Sequence, residues 1–434
     1  MFLDEVVSAQ HRGIALGIPS ICSAHPRVLR TAMRTYAPLK KPLLIESTCN
    51  QVNQEGGYTG LTPADFVAYV TSLAEQEDFP KEQLLFGGDH LGPYPWRSEK
   101  AEQAMQKAAE LVRHSVQAGY QKLHLDASMR LGDDDPRQPL PLEVIAERTA
   151  RLAQAALQAT VDRGTSTALR FVIGSEVPLP GGANIAETGV RVTEVVNVQE
   201  TLATFQSALQ KAGLAHLFEQ VIALVVQPGV EFGDDFVLEY QPQNAQALVH
   251  WIESQPSLVF EAHSTDYQSQ EDLSALVRDH FAILKVGPAL TFAYRQALFA
   301  LAHIEEHLCS PAEQSHLFQV VEQVMLTHPH YWQGYYDGSP TEQAIKRKFS
   351  LSDRIRYYWS HPSIQTAVEK LLSNLNGKHI PLGLLQQYCP HVEGERQARE
   401  ASDLPQHILE ASIQKVLQDY LVACWGVHAR IESH

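Results

Sequence analysis

Leu84-Leu85-Phe86-Gly87-Gly88-Asp89-His90-Leu91-Gly92-Pro93 sets an apolar run of strand length directly against two glycines, an acid and an imidazole. The same arrangement recurs along the first three hundred or so residues. Apolar runs at Gly17–Cys22, Leu43–Glu46, Leu84–Phe86, Lys122–Leu125, Leu169–Ile173, Val221–Val226, Leu258–Phe260 and Phe281–Val286 read as eight strands. Longer stretches of helical periodicity, such as Ala101–Ala118 and Leu142–Ala159, lie between them. Near-continuous apolar strands alternating with helices are what a parallel sheet buried on both faces requires, and eight such units predict a closed (β/α)8 TIM barrel. An open doubly wound sheet would favour a Gly-rich turn after the first strand, and no GxGxxG follows Cys22.

After about Ile304 no further strand runs appear, and helical segments alternate with aromatic stretches such as Tyr331-Trp332-Gln333-Gly334-Tyr335-Tyr336. The expected organisation is therefore a barrel over residues 1–305 and a C-terminal helical extension over 306–434. The basic residues Lys346-Arg347-Lys348 and Arg354 to Arg356 in that extension read either as a solvated helix face, the commoner case, or as an anion contact.

Composition narrows the function. A chain of 434 residues with 44% hydrophobic residues buries a large core, and 50 acidic against 34 basic residues leave a net charge of −16. That balance repels phosphate backbones and anionic lipid, so neither nucleic acid nor a membrane is an expected partner. No apolar run approaches the ~20 residues of a bilayer span, and Met1-Phe2-Leu3-Asp4-Glu5 has no basic stretch ahead of an apolar one. The five cysteines are scattered, with no CxxC pair, as expected of a cytoplasmic, reducing environment.

Polar groups able to do chemistry follow nearly every predicted strand, and in a barrel these strand ends converge on one rim. Asp89 pairs a carboxylate able to accept a hydroxyl proton with the metal-binding imidazole of His90, and the glycines before them allow close backbone approach to a ligand. Glu261 and His263 alternate along a strand end, so both point to one side. With His90 they make a candidate metal shell with an open position, while Glu176 and Asp126 are candidates to complete it or to act as acid–base groups. Imidazole with carboxylate favours zinc over magnesium, with manganese or cobalt as alternatives. An ion pair between Glu261 and Lys285 is the structural alternative. Glu46, Asn50, Gln51, Ser128, Gln227, Asp266 and Lys285 are the candidate substrate contacts, although the amides near Asn50 can equally tie down their own loop. Gly56-Gly57-Tyr58-Thr59-Gly60 is flexible enough to hold phosphate but lacks the Lys-Ser/Thr ending of a P-loop. Asp65 after Thr62-Pro63 reads as a helix start.

Several longer stretches carry a resemblance: Ser20–Pro26, IESTCNQVNQEGGYTG over Ile45–Gly60, GGDHLGP over Gly87–Pro93, KLHLDASM over Lys122–Met129, QPGVEF over Gln227–Phe232, EAHSTDYQ over Glu261–Gln268, LKVGPALTF over Leu284–Phe292 and LSDRIRYYW over Leu351–Trp359. In order and length they resemble the Z-subunit family of tagatose-bisphosphate aldolase, the GatZ/KbaZ family. Family members carry Asn-x-Trp after GGDHLGP, where this chain has Tyr94-Pro95-Trp96.

The resemblance implies kinship with zinc-dependent class II aldolases, with Asp89 as acid–base group, His90 as metal ligand and Lys285-Val286-Gly287 near a substrate phosphate. It also implies two functions sharing one fold. One is a metal-dependent enzyme acting at C3–C4 of a ketohexose or its phosphate, by aldol cleavage or by C4 epimerisation. The other is a non-catalytic subunit supporting a separate aldolase catalytic subunit. A homo-oligomer is the expected assembly. A kinase role attached to some such sequences finds no nucleotide-binding motif here.

Overall fold

The structure, a computed structural model, describes residues 1–163, 168–176, 190–390 and 403–426. Its centre is a closed parallel barrel of eight strands: β1 (Ile18–Ile21), β2 (Leu43–Thr48), β3 (Leu84–Leu91), β4 (Lys122–Leu125), β5 (Arg170–Ile173), β6 (Val221–Val225), β7 (Val259–Ala262) and β8 (Phe281–Val286). They lie side by side in chain order, and β8 pairs back onto β1 with Ile18 opposite Ile283. All eight apolar runs are strands. A two-stranded antiparallel ribbon, Glu231–Phe232 with Val237–Leu238, was not evident from the sequence.

β3 is the strand that departs from expectation. It continues past Phe86 to Leu91, and its register against β4 slips between Gly88 and Leu91. Adjacent residues of a regular strand face opposite ways, so the slip, with His90 at φ 48°, is what lets Asp89 and His90 serve the same side. The glycines of this segment make room for protein rather than for a ligand. A Cβ on Gly87 would meet Glu46 Cγ at 2.8 Å, and one on Gly92 would sit 1.7 Å from the Asp126 carbonyl oxygen.

Local chemistry sets the surrounding helices. Asp65 does start a helix: Thr62 and Asp65 form a reciprocal capping box on Pro63–Gln76. Ser269 caps Gln270–Arg278 with its hydroxyl, which accepts from Asp272 N at 3.1 Å. At the bottom of the barrel the N-terminal helix Phe2–Gln10 sends Leu3, Val6 and Val7 against Ile18, Leu44, Val172 and Ile283, an apolar plug that shuts that end to water.

The residue boundary at 305/306 falls inside the helix Pro288–Leu308. The last helix, Leu404–Trp425, lies along the barrel wall against Pro26–Tyr36, Gln270–Arg278 and Pro288–Leu308. Trp425 Nε1 donates to the Gly17 carbonyl at 2.9 Å, and the Tyr420 hydroxyl donates to the Thr265 carbonyl at 2.8 Å. The segment Ser350–Ser360 crosses the upper rim, fixed by Leu351 N to the Asp234 carbonyl (2.8 Å) and by the Thr291 hydroxyl to Asp353 (2.6 Å). Among the described residues no helix is long and apolar enough to cross a membrane, and no disulfide forms.

Candidate metal centre

Above the apolar plug lies a layer of four charges. Lys122 Nζ stands 2.7 Å from Glu46 and 2.5 Å from Glu261, and Lys285 contacts Glu46 and, at 2.9 Å, Asp89. Glu46, Lys122 and Glu261 are fully buried. Glu261 does approach Lys285, at 3.9 Å, but Lys122 is its nearer cation. Burial alone would raise the Glu261 carboxyl; Lys122, Lys285 and His263 overcome it and hold the group well below the usual carboxylate range.

On this layer stand Asp89, His90, His124 and His263, all buried, with one potential ligand atom each inside a 4.8 Å span. The three imidazole centroids form a near-equilateral triangle with sides of 4.8, 5.0 and 5.0 Å. Two of the rings are oriented by carboxylates beneath or beside them. His90 Nδ1 lies 2.8 Å from Asp126 Oδ2, and His263 Nε2 lies 2.9 Å from Glu261 Oε1. His124 Nδ1 accepts the His90 backbone N–H at 3.2 Å, and its Nε2 is buried without a partner. His90 Nε2 and His263 Nδ1 make no hydrogen bond to the described protein, and His124 turns Nδ1 toward the cluster, 3.3 Å from Asp89 Oδ1. That donor set fits a divalent transition metal, and carboxylate–imidazole pairs are the usual support of such ligands.

Electrostatics set the rings apart. Burial drives His263 down to about 3, leaving a neutral ring with a free lone pair. Burial also opposes charge on His90, but Asp89 and Asp126 outweigh it and raise that ring. Asp89 is pushed up by burial and held well below the carboxylate range by Lys285 and the nearby histidines, so it stands ionised.

Three of the four, Asp89, His90 and His263, form part of the wall of a cavity of about 470 Å³ at the C-terminal rim. Asp89, His90, His263, Asn50, Gln51, Asp266 and Lys285 line it. The other sequence candidates lie elsewhere. Glu46 and Glu261 are in the charged layer below. Asp126 sits behind His90, its second oxygen accepting from the Ser128 amide (3.0 Å) and hydroxyl (2.6 Å), so neither Asp126 nor Ser128 faces the cavity. Gln227 accepts from the Gly229 amide at 2.8 Å and stays off the cavity wall. Glu176, expected as a rim acid, is exposed and stands outside the metal-ligating cluster, with Thr193 and Asn197 donating to it at 2.7 Å each. The glycine loop is corrected as a phosphate cradle. Its amides are already taken, Gly57 N by Asn53 Oδ1 (3.1 Å) and Tyr58 N by the Asn50 carbonyl (2.9 Å).

Sequence reasoning passed over His124 and Lys122. The signal was present, because Lys122, His124 and Asp126 alternate along β4 and so share the inward face. It also left Arg356 within a basic run; Arg356, Tyr357, Trp359 and Gln365 bring the C-terminal region into the cavity wall.

Residues 3–425 match the family described as D-tagatose-1,6-bisphosphate aldolase subunit GatZ/KbaZ-like. A protein of Salmonella gallinarum named D-tagatose-1,6-bisphosphate aldolase subunit GatZ is 48% identical over 425 residues, covering 97% of this chain and 99% of its own length. A protein of the same name from Klebsiella pneumoniae matches with the same identity and coverage. Among solved structures, a probable tagatose 6 phosphate kinase from Sinorhizobium meliloti 1021 superposes with a TM-score of 0.85 at 44% identity, covering 94% of this chain and 100% of that one.

Proposed function

The chain belongs to the GatZ/KbaZ-like family of D-tagatose-1,6-bisphosphate aldolase subunits, and from that premise we propose that its cavity is a working divalent-metal site that breaks and forms the C3–C4 bond of a ketohexose or ketohexose phosphate. The observation that carries this reading is the convergence of three histidines and Asp89, all buried, in one 4.8 Å cluster, of which Asp89, His90 and His263 line the cavity. Burying so many ionisable groups is costly, and a structural role for the cavity does not require it.

His90, His124 and His263 would hold the metal, zinc by the chemistry of the donors, with manganese or cobalt as alternatives. Glu261, expected as a ligand, and Asp126, expected as an acid–base group, are instead assigned to orienting His263 and His90. A divalent cation held there would supply Lewis-acid stabilisation of the negative charge that develops as the C3–C4 bond breaks. Asp89 removes the C4 hydroxyl proton, C4 becomes an aldehyde carbon, and the bonding pair passes toward the C2 oxygen. Lys285, 2.9 Å from Asp89, keeps that carboxylate charged between turnovers. Asn50, Gln51 and Ser264 offer hydrogen bonds to sugar hydroxyls from the cavity wall. If the aldehyde turns its other face before rejoining, the product is the C4 epimer; if it leaves, the reaction is aldol cleavage.

The relatives' names describe a subunit, which favours a second reading: a chain that supports a separate catalytic subunit. Incubating the purified chain alone, with zinc, manganese or cobalt, against fructose, tagatose and their phosphates separates the two. Metal-dependent epimerisation or cleavage, abolished by a chelator, is expected. No turnover on any of these sugars, together with enhanced activity of an added catalytic aldolase subunit, overturns the first reading in favour of the second.

A further inference from the structure

Two cationic side chains besides histidines line the cavity among the described residues, Lys285 and Arg356. Lys285 is committed to Glu46 and Asp89. Arg356 has no such partner. Its Nη1 donates to the backbone carbonyls of Ser352 and, at 3.0 Å, Asp353, while Nη2 donates to the Tyr357 hydroxyl at 2.9 Å. No carboxylate of a described residue lies within ion-pairing reach of it. The neighbouring basic residues are each occupied: Lys346 by Asp234 (3.0 Å) and Asp337, Arg347 by Glu322, and Arg354 by the Tyr331 carbonyl and the Tyr335 ring. Arg356 is thus a half-buried guanidinium that feels Asp353 and Asp266 only through space, beyond ion-pair contact, and keeps donors to spare for an anion in the cavity.

The start of the helix after β8 is where an anionic substrate group would otherwise dock, since free amides and the helix dipole meet there. In this chain the place is taken. Asp266 Oδ1 accepts from Gly287 N at 3.0 Å and Ala289 N at 2.8 Å, and Asp266 itself lines the cavity. A phosphate arriving there would have to displace a buried carboxylate and face its charge.

We propose that Arg356, delivered by the C-terminal region, anchors the phosphate of a phosphorylated ketose in the cavity in place of the helix start that Asp266 occupies. The segment is rigid enough for the task. Ser350 and Ser352 donate to Asp234 at 3.0 and 3.2 Å, Thr291 fixes Asp353, and the Tyr267 hydroxyl donates to the Leu351 carbonyl at 2.5 Å. The planar guanidinium presents paired N–H groups that match two phosphate oxygens.

The inference rests on the cavity being a sugar site, so its test reads binding rather than turnover. Calorimetry on the full metal-loaded chain compares tagatose, tagatose 1-phosphate and tagatose 6-phosphate for the wild type, Arg356→Gln and Arg356→Lys. At least one phosphate ester should bind the wild type about tenfold or more tighter than tagatose. Arg356→Gln should erase that preference while leaving tagatose affinity near the wild-type value, and Arg356→Lys should keep part of it. Retained tagatose binding guards against a variant that has simply failed to fold. Equal phosphate-ester affinity in wild type and Arg356→Gln, or no phosphate preference in the wild type, overturns the assignment. Arg356-dependent binding without turnover upholds the anchor and sinks the catalytic reading; turnover of tagatose with no phosphate preference does the reverse.

Discussion

His90 Nδ1 and Asp126 Oδ2, both buried, stand 2.8 Å apart, and the contact fixes which nitrogen His90 turns toward the cluster. With Nδ1 carrying the shared proton, Nε2 remains for a metal. Asp126→Asn removes the charge but keeps the shape, and should weaken zinc binding about tenfold; Asp126→Ala should approach a hundredfold. His124→Ala, which deletes a donor outright, should lower occupancy further. Competition titration against a chromophoric chelator measures all three. Wild-type zinc affinity in Asp126→Ala would remove the orienting role.

The charged layer makes a separate prediction about stability. Lys122 is the cation shared by Glu46 and Glu261, and all three are fully buried. Lys122→Met leaves Glu261 without its nearest counter-charge and Glu46 with Lys285 alone, a loss of about 3–5 kcal/mol. The double variant Lys122→Met/Glu261→Gln should recover part of that loss. Denaturant unfolding of the metal-free chain reads both, and a single variant as stable as the wild type would show the layer to be energetically neutral.

A third prediction follows from Asp353, which is buried with its carboxylate accepting from Thr291 and lying 3.5 Å from Arg295 Nε. Burial pushes it up to about 6, against the pull of Arg295, Thr291 and Arg356, and with a further push from Asp266. The folded value lies above the unfolded one, so the cost of keeping the charged form is fully present above about pH 6. It fades as pH falls through 6 and is gone below the unfolded value near 4. Asp353→Asn carries no such cost. Its stability relative to the wild type should therefore improve by up to roughly 1.4 kcal/mol per pH unit between pH 4 and 6, then level off. Unfolding curves for both chains at pH 5, 6 and 8 check it; a constant difference across that range would contradict it.

The barrel was legible because each strand is an apolar run cut off by polar residues, a pattern that burial on both faces imposes. The end of β3 was not. Gly87-Gly88-Asp89-His90 has little strand propensity, and pairing with β2 as far as Asp89 and with β4 at Leu91 carries the strand on. At the site, the spacing of two in Glu261 and His263 correctly put both on one side, and their mutual hydrogen bond is the result. Spacing does not tell a ligand from the carboxylate that supports it, because both point inward from successive positions. His124 stood between two other inward residues of β4 and was hidden by attention to Asp126 at the strand end. Glu176 stands apart from the cluster, since a polar residue after a strand can turn either way and spacing alone does not decide. Arg356 lies far along the chain from the barrel strands, and no local pattern announces that its segment folds back over the rim.

The last prediction separates an enzyme from a supporting subunit through Asp89. This carboxylate touches Lys285 at 2.9 Å, lies 3.3 Å from His124 Nδ1 and faces the cavity. Asp89→Asn preserves its size and much of its hydrogen bonding but removes the base. If Asp89 carries the C4 hydroxyl proton, turnover should fall by roughly 10²- to 10⁴-fold. Folding and zinc content should stay close to the wild type, since the three imidazoles remain. His90→Ala should behave differently, losing metal first and activity as a consequence. Steady-state rates on a ketose substrate, with zinc measured on the same samples, distinguish the two variants. An active chain whose rate Asp89→Asn leaves unchanged would exclude Asp89 as the base and turn attention to the metal site alone. In a supporting subunit, neither substitution would alter chemistry except by weakening association with the catalytic partner, which sedimentation of the mixed chains would reveal.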